Sequence, residues 1–352
     1  MTEKLRFGIV GGGVIGPVHA RAIESLPDAQ LVAVTDVLPE KARQLAEPYG
    51  ATSYAELQDM LTHERLDVVI ICTPSGMHGR QACQAMRARR HVIVEKPMEI
   101  NRVAMEEMLH VQREMGVKLA VISQRRFDPC SQQVHALIEE QAFGRLVLGN
   151  AVVPWWRSQS YYQSGKWRGT WELDGGGVLM NQSIHSIDLL QWFMGPVVSV
   201  SAYTDTLAHQ MEAEDAAVAI LRFANGALGT IAATTAAYPG VNTRIEVFGD
   251  RGSAIIEDDR LSYLHLARDD HGEVGAYGAN ARAARPAEQH SAVAQNPAAL
   301  AMTSHALQIA DMMRAIREDG TPLVDGYAGR RPVDIILAIY ESARTRQEVR
   351  LP

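Results

Sequence analysis

Phe7-Gly8-Ile9-Val10-Gly11-Gly12-Gly13-Val14-Ile15-Gly16 decides how the rest of the chain is read. A β-branched apolar run ends in clustered glycines, and a helical pattern near Ile15–Ser25 follows at once. In such a strand-to-helix turn the glycines allow the tight bend, let the backbone approach a pyrophosphate, and pack helix against strand. The helix start behind them favours an anion. Any tight glycine turn can have this spelling, so the context matters. Asp36 closes the second strand-like run about 20 residues later, where a carboxylate accepts hydrogen bonds from an adenosine ribose. The motif therefore reads as a dinucleotide site built by Gly11, Gly13, Val14, Ile15, Gly16 and Asp36. Asp36 also repels a 2′-phosphate, and neither Val37 nor Leu38 brings a cation, so NAD is expected rather than NADP.

Outward from this turn, β-branched runs alternate with helical patterns. Strands are expected at Phe7–Val10, Leu31–Asp36, Val68–Cys72, His91–Glu95 and Lys118–Ile122. Helical patterns lie near Pro39–Glu47, Tyr54–Leu61, His78–Arg89 and Val103–Met115. That rhythm predicts a parallel, doubly wound α/β sheet with helices on both faces. After Phe127 it changes to a helix near Ser131–Gln141, a strand from Arg145 and an aromatic-rich stretch. Strand-length segments then run from Val197 to about Ala267, punctuated by Ala224-Asn225-Gly226 and Gly249-Asp250-Arg251-Gly252. An α+β domain with a mostly antiparallel sheet is expected there, giving domains at 1–123 and 124–352. Residues 270–300 read as a long loop of the lid or interface-arm kind. Helices near Ser304–Glu318 and Val333–Arg346 close the chain.

The bulk numbers exclude several classes. At 352 residues the chain exceeds one ordinary core, which agrees with two domains. No apolar run is long enough to span a bilayer, and Met1–Arg6 lacks the pattern of a secretory signal, so a cytoplasmic protein is expected. A net charge of −7 offers no basic field for nucleic acid, which leaves small molecules as the favoured ligands. Cys72, Cys83 and Cys130 have no CxxC spacing, so neither a disulfide framework nor a metal site is expected.

Two further motifs sit where ligands of parallel sheets bind. Cys72-Thr73-Pro74-Ser75-Gly76-Met77-His78 ends the third predicted strand, with Ser75 also a candidate N-cap for the next helix. Glu95-Lys96-Pro97 ends the fourth and sets a lysine able to hydrogen-bond a substrate oxygen; a surface ion pair with Glu95 is the plainer alternative. Farther on, Gly175-Gly176-Gly177 enters a helix in which Asn181, His185 and Asp188 fall on one face. Finally, Trp155-Trp156-Arg157, Tyr161-Tyr162, Lys166-Trp167-Arg168 and Trp171 gather four of the five tryptophans. Aromatic faces with fixed donors suit sugar rings, although a packed interface uses the same residues. Tyr162, Trp167 and Arg168 are the candidate substrate contacts there, with Gln124, Arg125 and Arg126 further ones.

On these residues the chain resembles the Gfo/Idh/MocA family of oxidoreductases, the glucose-fructose oxidoreductase and inositol dehydrogenase group. The match is carried by Gly11–Gly16 with His19, Asp36, Thr73-Pro74-Ser75 with His78, Glu95-Lys96-Pro97, and Gly175-Gly176-Gly177 through His185 and Asp188. Pro322-Leu323-Val324-Asp325-Gly326 and Ala338-Ile339-Tyr340-Glu341-Ser342-Ala343-Arg344 add to it. The resemblance implies a Rossmann domain followed by a domain with an open sheet, through which dimers or tetramers assemble. It implies a hydride exchanged between NAD and a ring hydroxyl or carbonyl of a sugar, glycoside, nucleotide sugar or cyclitol. Thr73, Pro74, Ser75, His78, Glu95 and Lys96 would border the cofactor. Lys96, His185 and Asn181 would meet the substrate, with His185 taking the proton while Lys96 stabilises the oxygen, or the reverse. Many relatives carry Asp at the position of Asn181, which can orient an imidazole but brings no charge. Asp188 is then a candidate support for His185. Two other readings fit the same fold: an NAD-dependent glycosidase acting by transient oxidation, and a non-catalytic NAD or sugar sensor.

Overall fold

The structure is a computed structural model and describes residues 3–267 and 302–351. The chain divides into two compact units. Unit 1 comprises 1–124, 170–175 and 296–333; unit 2 comprises 125–169, 176–295 and 334–352. The expected loop at 270–300 lies outside the described residues.

Unit 1 is built on a six-stranded parallel sheet. Its strands are β1 (Leu5–Val10), β2 (Ala29–Thr35), β3 (Thr52–Tyr54), β4 (Val68–Ile71), β5 (His91–Val94) and β6 (Leu119–Val121), in the order β3-β2-β1-β4-β5-β6. The crossovers are α1 (Gly16–Glu24), α2 (Pro39–Ala46), α3 (Leu57–His63), α4 (His78–Arg87) and α5 (Arg102–Met115). Central strands are buried along their length, so Val68-Val69-Ile70-Ile71 reads as a continuous apolar run. β3 escaped the sequence reading because its three residues are partly exposed and polar. The helix expected from Tyr54 begins instead at Leu57, after that edge strand.

The helix α9 (Met302–Arg317) belongs to unit 1, although the sequence assigned it to the second domain. The reason is its apolar face: Ile309, Met312 and Met313 join Phe7, Ile9, Ile23 and Ile70 in one core. Gln308 ties it to the sheet, donating to the Val121 carbonyl at 2.7 Å and accepting from Ser123 N at 3.0 Å. The Pro322–Gly326 motif lines the sheet edge, where Val121 N donates to Val324 O at 3.0 Å. The last helix, α10 (Gly326–Thr345), starts earlier than the Val333 of the sequence reading. Asp325 satisfies the Ala328 N–H at 2.8 Å, and the helix continues through Pro332.

Unit 2 carries an eight-stranded sheet in the order β13-β12-β11-β7-β10-β9-β8-β14. These are β7 (Leu146–Pro154), β8 (Val197–Asp205), β9 (Ala216–Phe223), β10 (Leu228–Thr234), β11 (Arg244–Gly249), β12 (Gly252–Glu257), β13 (Arg260–Leu266) and β14 (Val349–Arg350). All neighbours are antiparallel except β7 and β10. The helices α6 (Pro129–Glu139), α7 (Gln159–Gln163) and α8 (Ile184–Met194) complete the unit. Strand burial alternates, as in Ala216–Phe223, the signature of a sheet packed on one face. Among the described residues no helix is long and apolar enough to cross a membrane.

Candidate active site

The glycine turn forms as its residue types require. Gly11 takes φ +105°, a conformation that L side chains avoid, and a Cβ there would meet the Cys72 carbonyl oxygen at 2.7 Å. A Cβ on Gly16 would lie 2.5 Å from Gly11 O, so the head of α1 sits directly on the strand end. Gly13 faces open space, and Val14 is 74% exposed. Backbone closure on one side and an open approach on the other is what a pyrophosphate needs. Asp36 is held in place by its own loop: Oδ2 accepts from Gly12 N and Oδ1 from Leu38 N, both at 2.8 Å. Each oxygen keeps a further lone pair for a ribose hydroxyl. The residues present therefore fit a dinucleotide, at the switch point between β1 and β4 where the strand order reverses.

The turn after β4 is a short 3₁₀ segment, Ser75–Met77, and Ser75 is buried. The N-cap position of α4 is Met77, without a side-chain cap, so the capping role proposed for Ser75 is not realised. Thr73 donates to Gln81 Oε1. His78 is buried with Nδ1 2.8 Å from Pro97 O and Nε2 2.8 Å from Thr73 O, so its ring braces the β4 turn against the β5 turn.

Behind Lys96 lies a buried cluster that the sequence did not reveal. His19 Nε2 is 2.7 Å from Glu95 Oε1, and the His305 ring meets that of His19 edge to face at 5.3 Å. Glu95 Oε2 accepts the Lys96 backbone N–H at 3.1 Å. Burial raises the Glu95 carboxyl, but the His19 hydrogen bond and the charges of His19, His305 and Lys96 overcome it and bring it down to about 2. The candidate ligating atoms of His19, Glu95 and His305 all lie within 4.8 Å of one another. However, the His19–Glu95 hydrogen bond puts a proton where a metal would need a lone pair. Glu95 is 6% exposed and hydrogen-bonded to an imidazole, so it is not a surface carboxylate.

In unit 2, Gly175-Gly176-Gly177 leads into a π-helix, Val178–Ser183, before α8 begins. The expected single α-helical register through Asn181, His185 and Asp188 is thus interrupted. Asn181 lies in the widened turn, and His185 and Asp188 lie in α8. Glu214 holds the head of the π-helix, accepting from Gly177 N at 3.0 Å, Leu179 N at 2.9 Å and Tyr340 Oη at 2.9 Å. A Cβ on Gly177 would meet Glu214 O at 1.9 Å, which explains the glycine. Asp188 is buried and paired with Arg126 through Nε at 2.8 Å and a second bond from NH2. This pairing uses two donors of Arg126, a candidate substrate contact of the sequence reading.

The aromatic stretch folds as two layers. Tyr162 is buried, with its hydroxyl on Thr235 Oγ1 at 2.7 Å, and burial pushes its phenol up. Its hydroxyl is thus committed to Thr235, at a position that the sequence reading gave as a candidate substrate contact. Tyr161 takes the more open position: its hydroxyl accepts from Arg168 NH1 at 2.6 Å and Gln182 Nε2 at 2.8 Å. Trp167 stacks with Arg168 at 4.7 Å. The sequence reading placed Arg157 and Tyr161 in the aromatic stretch without making them substrate contacts, and it gave no role to Gln182.

Comparison with known proteins agrees with this geometry. Residues 5–123 match the model of an oxidoreductase family with an NAD-binding Rossmann fold, and residues 131–255 match that of the GFO/IDH/MocA C-terminal domain. The chain is similar to the WlbA dehydrogenase from Bordetella pertussis, solved in complex with NADH and UDP-GlcNAcA. Identity is 35%, 99% of each chain is covered, and the TM-score is 0.86. It is 27% identical to a myo-inositol 2-dehydrogenase of Thermotoga maritima, over 77% of this chain and 80% of that one. It is 28% identical to a scyllo-inositol 2-dehydrogenase (NAD(+)) of Bacillus subtilis, over 76% and 78%.

Proposed function

The chain belongs to the Gfo/Idh/MocA family of NAD-binding oxidoreductases, and on that premise we propose that it exchanges a hydride between nicotinamide and a ring carbon of a sugar, glycoside, nucleotide sugar or cyclitol. The observation that carries the reading is the turn at the head of α1, closed behind Gly11 and open at Gly13, with the Asp36 carboxylate fixed beside it. NAD, when bound, supplies the hydride acceptor or donor. Gly11, Gly13, Val14, Ile15 and Gly16 would hold its pyrophosphate, Asp36 its ribose, and Thr73, Pro74 and Ser75 would border it at the switch point.

Lys96 is assigned the hydrogen bond to the reacting oxygen, and His185 the proton of the hydroxyl. Asn181 orients a neutral partner without adding charge. Asp188, closed on Arg126, is a positioning residue for α8. Relatives acting on cyclitols, and one solved with a nucleotide sugar, support the substrate range. The test is NADH appearance over a panel of cyclitols, sugars, glycosides and nucleotide sugars. Lys96→Ala and His185→Ala should each lower kcat by about a hundredfold or more, and His185→Ala should bind NADH normally. Wild-type turnover in both variants would remove the assignment, and release of free sugar without net NADH would favour transient oxidation.

Self-association through the sheet of unit 2 belongs to the same reading. Tyr203, Val218, Ile220 and Leu228 share one face of β8, β9 and β10 by register and are 80%, 56%, 60% and 44% exposed. Light scattering in solution should give a dimer or tetramer. Free thiols at Cys72, Cys83 and Cys130 agree with a cytoplasmic setting.

A further inference from the structure

Arg157 and Arg168 both lie against the ring of Tyr161. The Arg157 guanidinium lies 4.8 Å from the Trp155 ring and 5.5 Å from that of Tyr161, and Arg168 lies 4.4 Å from Tyr161. Hydrogen bonds fix both forks: Arg157 Nε donates to Gln182 Oε1 at 3.2 Å and its NH1 to Trp156 O at 2.9 Å, while Arg168 NH1 donates to Tyr161 Oη at 2.6 Å. Gln182 reaches on to Asn181 Oδ1 at 3.3 Å, in the π-helix that precedes His185. Every one of these partners is neutral. Among the described residues no carboxylate lies within 4.0 Å of either guanidinium.

Of the acidic groups that follow the aromatic stretch in sequence, Glu214 and Asp215 are committed elsewhere. Asp215 takes the backbone N–H groups of Leu207, Ala208 and His209 together with the His209 ring. Glu214 is closed on Gly177, Leu179 and Tyr340. Two half-buried cations, held by aromatic faces and without a counter-charge among the described residues of a chain of net charge −7, are poised to receive an oxyanion. Each fork keeps N–H donors beyond those named, the arrangement that grips a carboxylate or a phosphate.

We propose that Arg157 and Arg168 form an oxyanion-binding subsite, so that the sugar substrate carries a carboxylate or phosphate group. This rests on the dehydrogenase reading for the word substrate, and its test does not depend on turnover. Calorimetric titration of the full chain saturated with NADH compares glucose with glucuronate, glucose phosphate and UDP-glucuronate. At least one anionic sugar should bind about tenfold or more tighter than glucose, with affinity falling as salt rises. Arg157→Met and Arg168→Met should each lose about tenfold of that preference, Arg168→Lys should recover part of it, and NADH affinity should stay constant, which also reports folding. The responsive sugar separates a carboxylate from a phosphate. Binding without NADH turnover supports the subsite and counts against the dehydrogenase reading alone. Equal affinity for glucose and all three anions overturns the proposal. So does wild-type anion affinity in both methionine variants, or a change in oligomer mass as their sole effect, which would make the pair a subunit contact.

Discussion

Glu95 at the end of β5 and Glu214 before β9 are equally dry, 6% and 3% exposed, yet they titrate in opposite directions. Burial raises both carboxyls. For Glu95 the imidazoles of His19 and His305 and the Lys96 ammonium more than offset it, and the group settles at about 2. Glu214 has three good donors, the N–H groups of Leu179 and Gly177 and the Tyr340 hydroxyl, but all are neutral, and it rises to about 7. The pair teaches that filling a buried carboxylate's lone pairs does not keep it charged; an opposite charge does. The anion in unit 1 is fixed beside Lys96, while the one at the π-helix can change its charge near neutral pH.

The largest effect expected of this contrast is at Glu95. Glu95→Ala leaves the His19 imidazole buried without its acceptor, and should cost about 3 kcal/mol or more in urea unfolding. Glu95→Gln keeps shape and removes charge, so it separates the two contributions. Because the folded pKa lies below the ordinary value of 4.5, the stability from this group is complete above pH 4.5 and lost as pH falls through about 2. A Gln variant as stable as wild type at pH 7 would mean that the imidazoles need no anion, and the comparison would fail.

The sequence made the first region more legible than the second, for physical reasons. A glycine turn is local: Gly11, Gly16 and Asp36 announce their geometry within one strand-helix-strand unit, and the strands around them were recognisable from β-branched runs. The charge cluster is not local, since Glu95 lies 76 residues from His19 and only the docking of α9 brings His305 to both. In unit 2 the polar spacing of Asn181, His185 and Asp188 pointed to the right segment but assumed an α-helical period. The head of the widened turn at Val178–Ser183 is held by Glu214, whose hydrogen bond from Tyr340 spans 126 residues. Tyr162 outranked Tyr161 in the sequence reading because nothing in adjacent tyrosines says which one faces inward.

Glu214→Gln sharpens the comparison from the other side. The folded pKa of about 7 stands above the ordinary 4.5, so the group's contribution is complete below pH 4.5 and is lost as pH rises through 7. Wild type should therefore lose on the order of 3 kcal/mol between pH 4.5 and 7 from this group, and the glutamine variant should lack that slope. Parallel curves for the two proteins would show that Glu214 does not hold its proton in the fold.

Tyr340→Phe carries the smallest expected effect and tests the rule most directly. It removes one neutral donor from Glu214 and leaves the two backbone N–H groups in place. The hydroxyl favours the charged carboxylate, so without it the Glu214 pKa should move further up from about 7. The stability loss should be about 1 kcal/mol at pH 8, where the carboxylate is ionised, and less at pH 5, where it already carries a proton. The hydroxyl also crowds Gly176, where a Cβ would lie 2.0 Å from it, so phenylalanine introduces no new clash to blur the readout. An equal loss at both pH values would assign Tyr340 to packing. A fall in the Glu214 pKa would mean that a neutral donor opposes the charged form, the reverse of what separates the two glutamates.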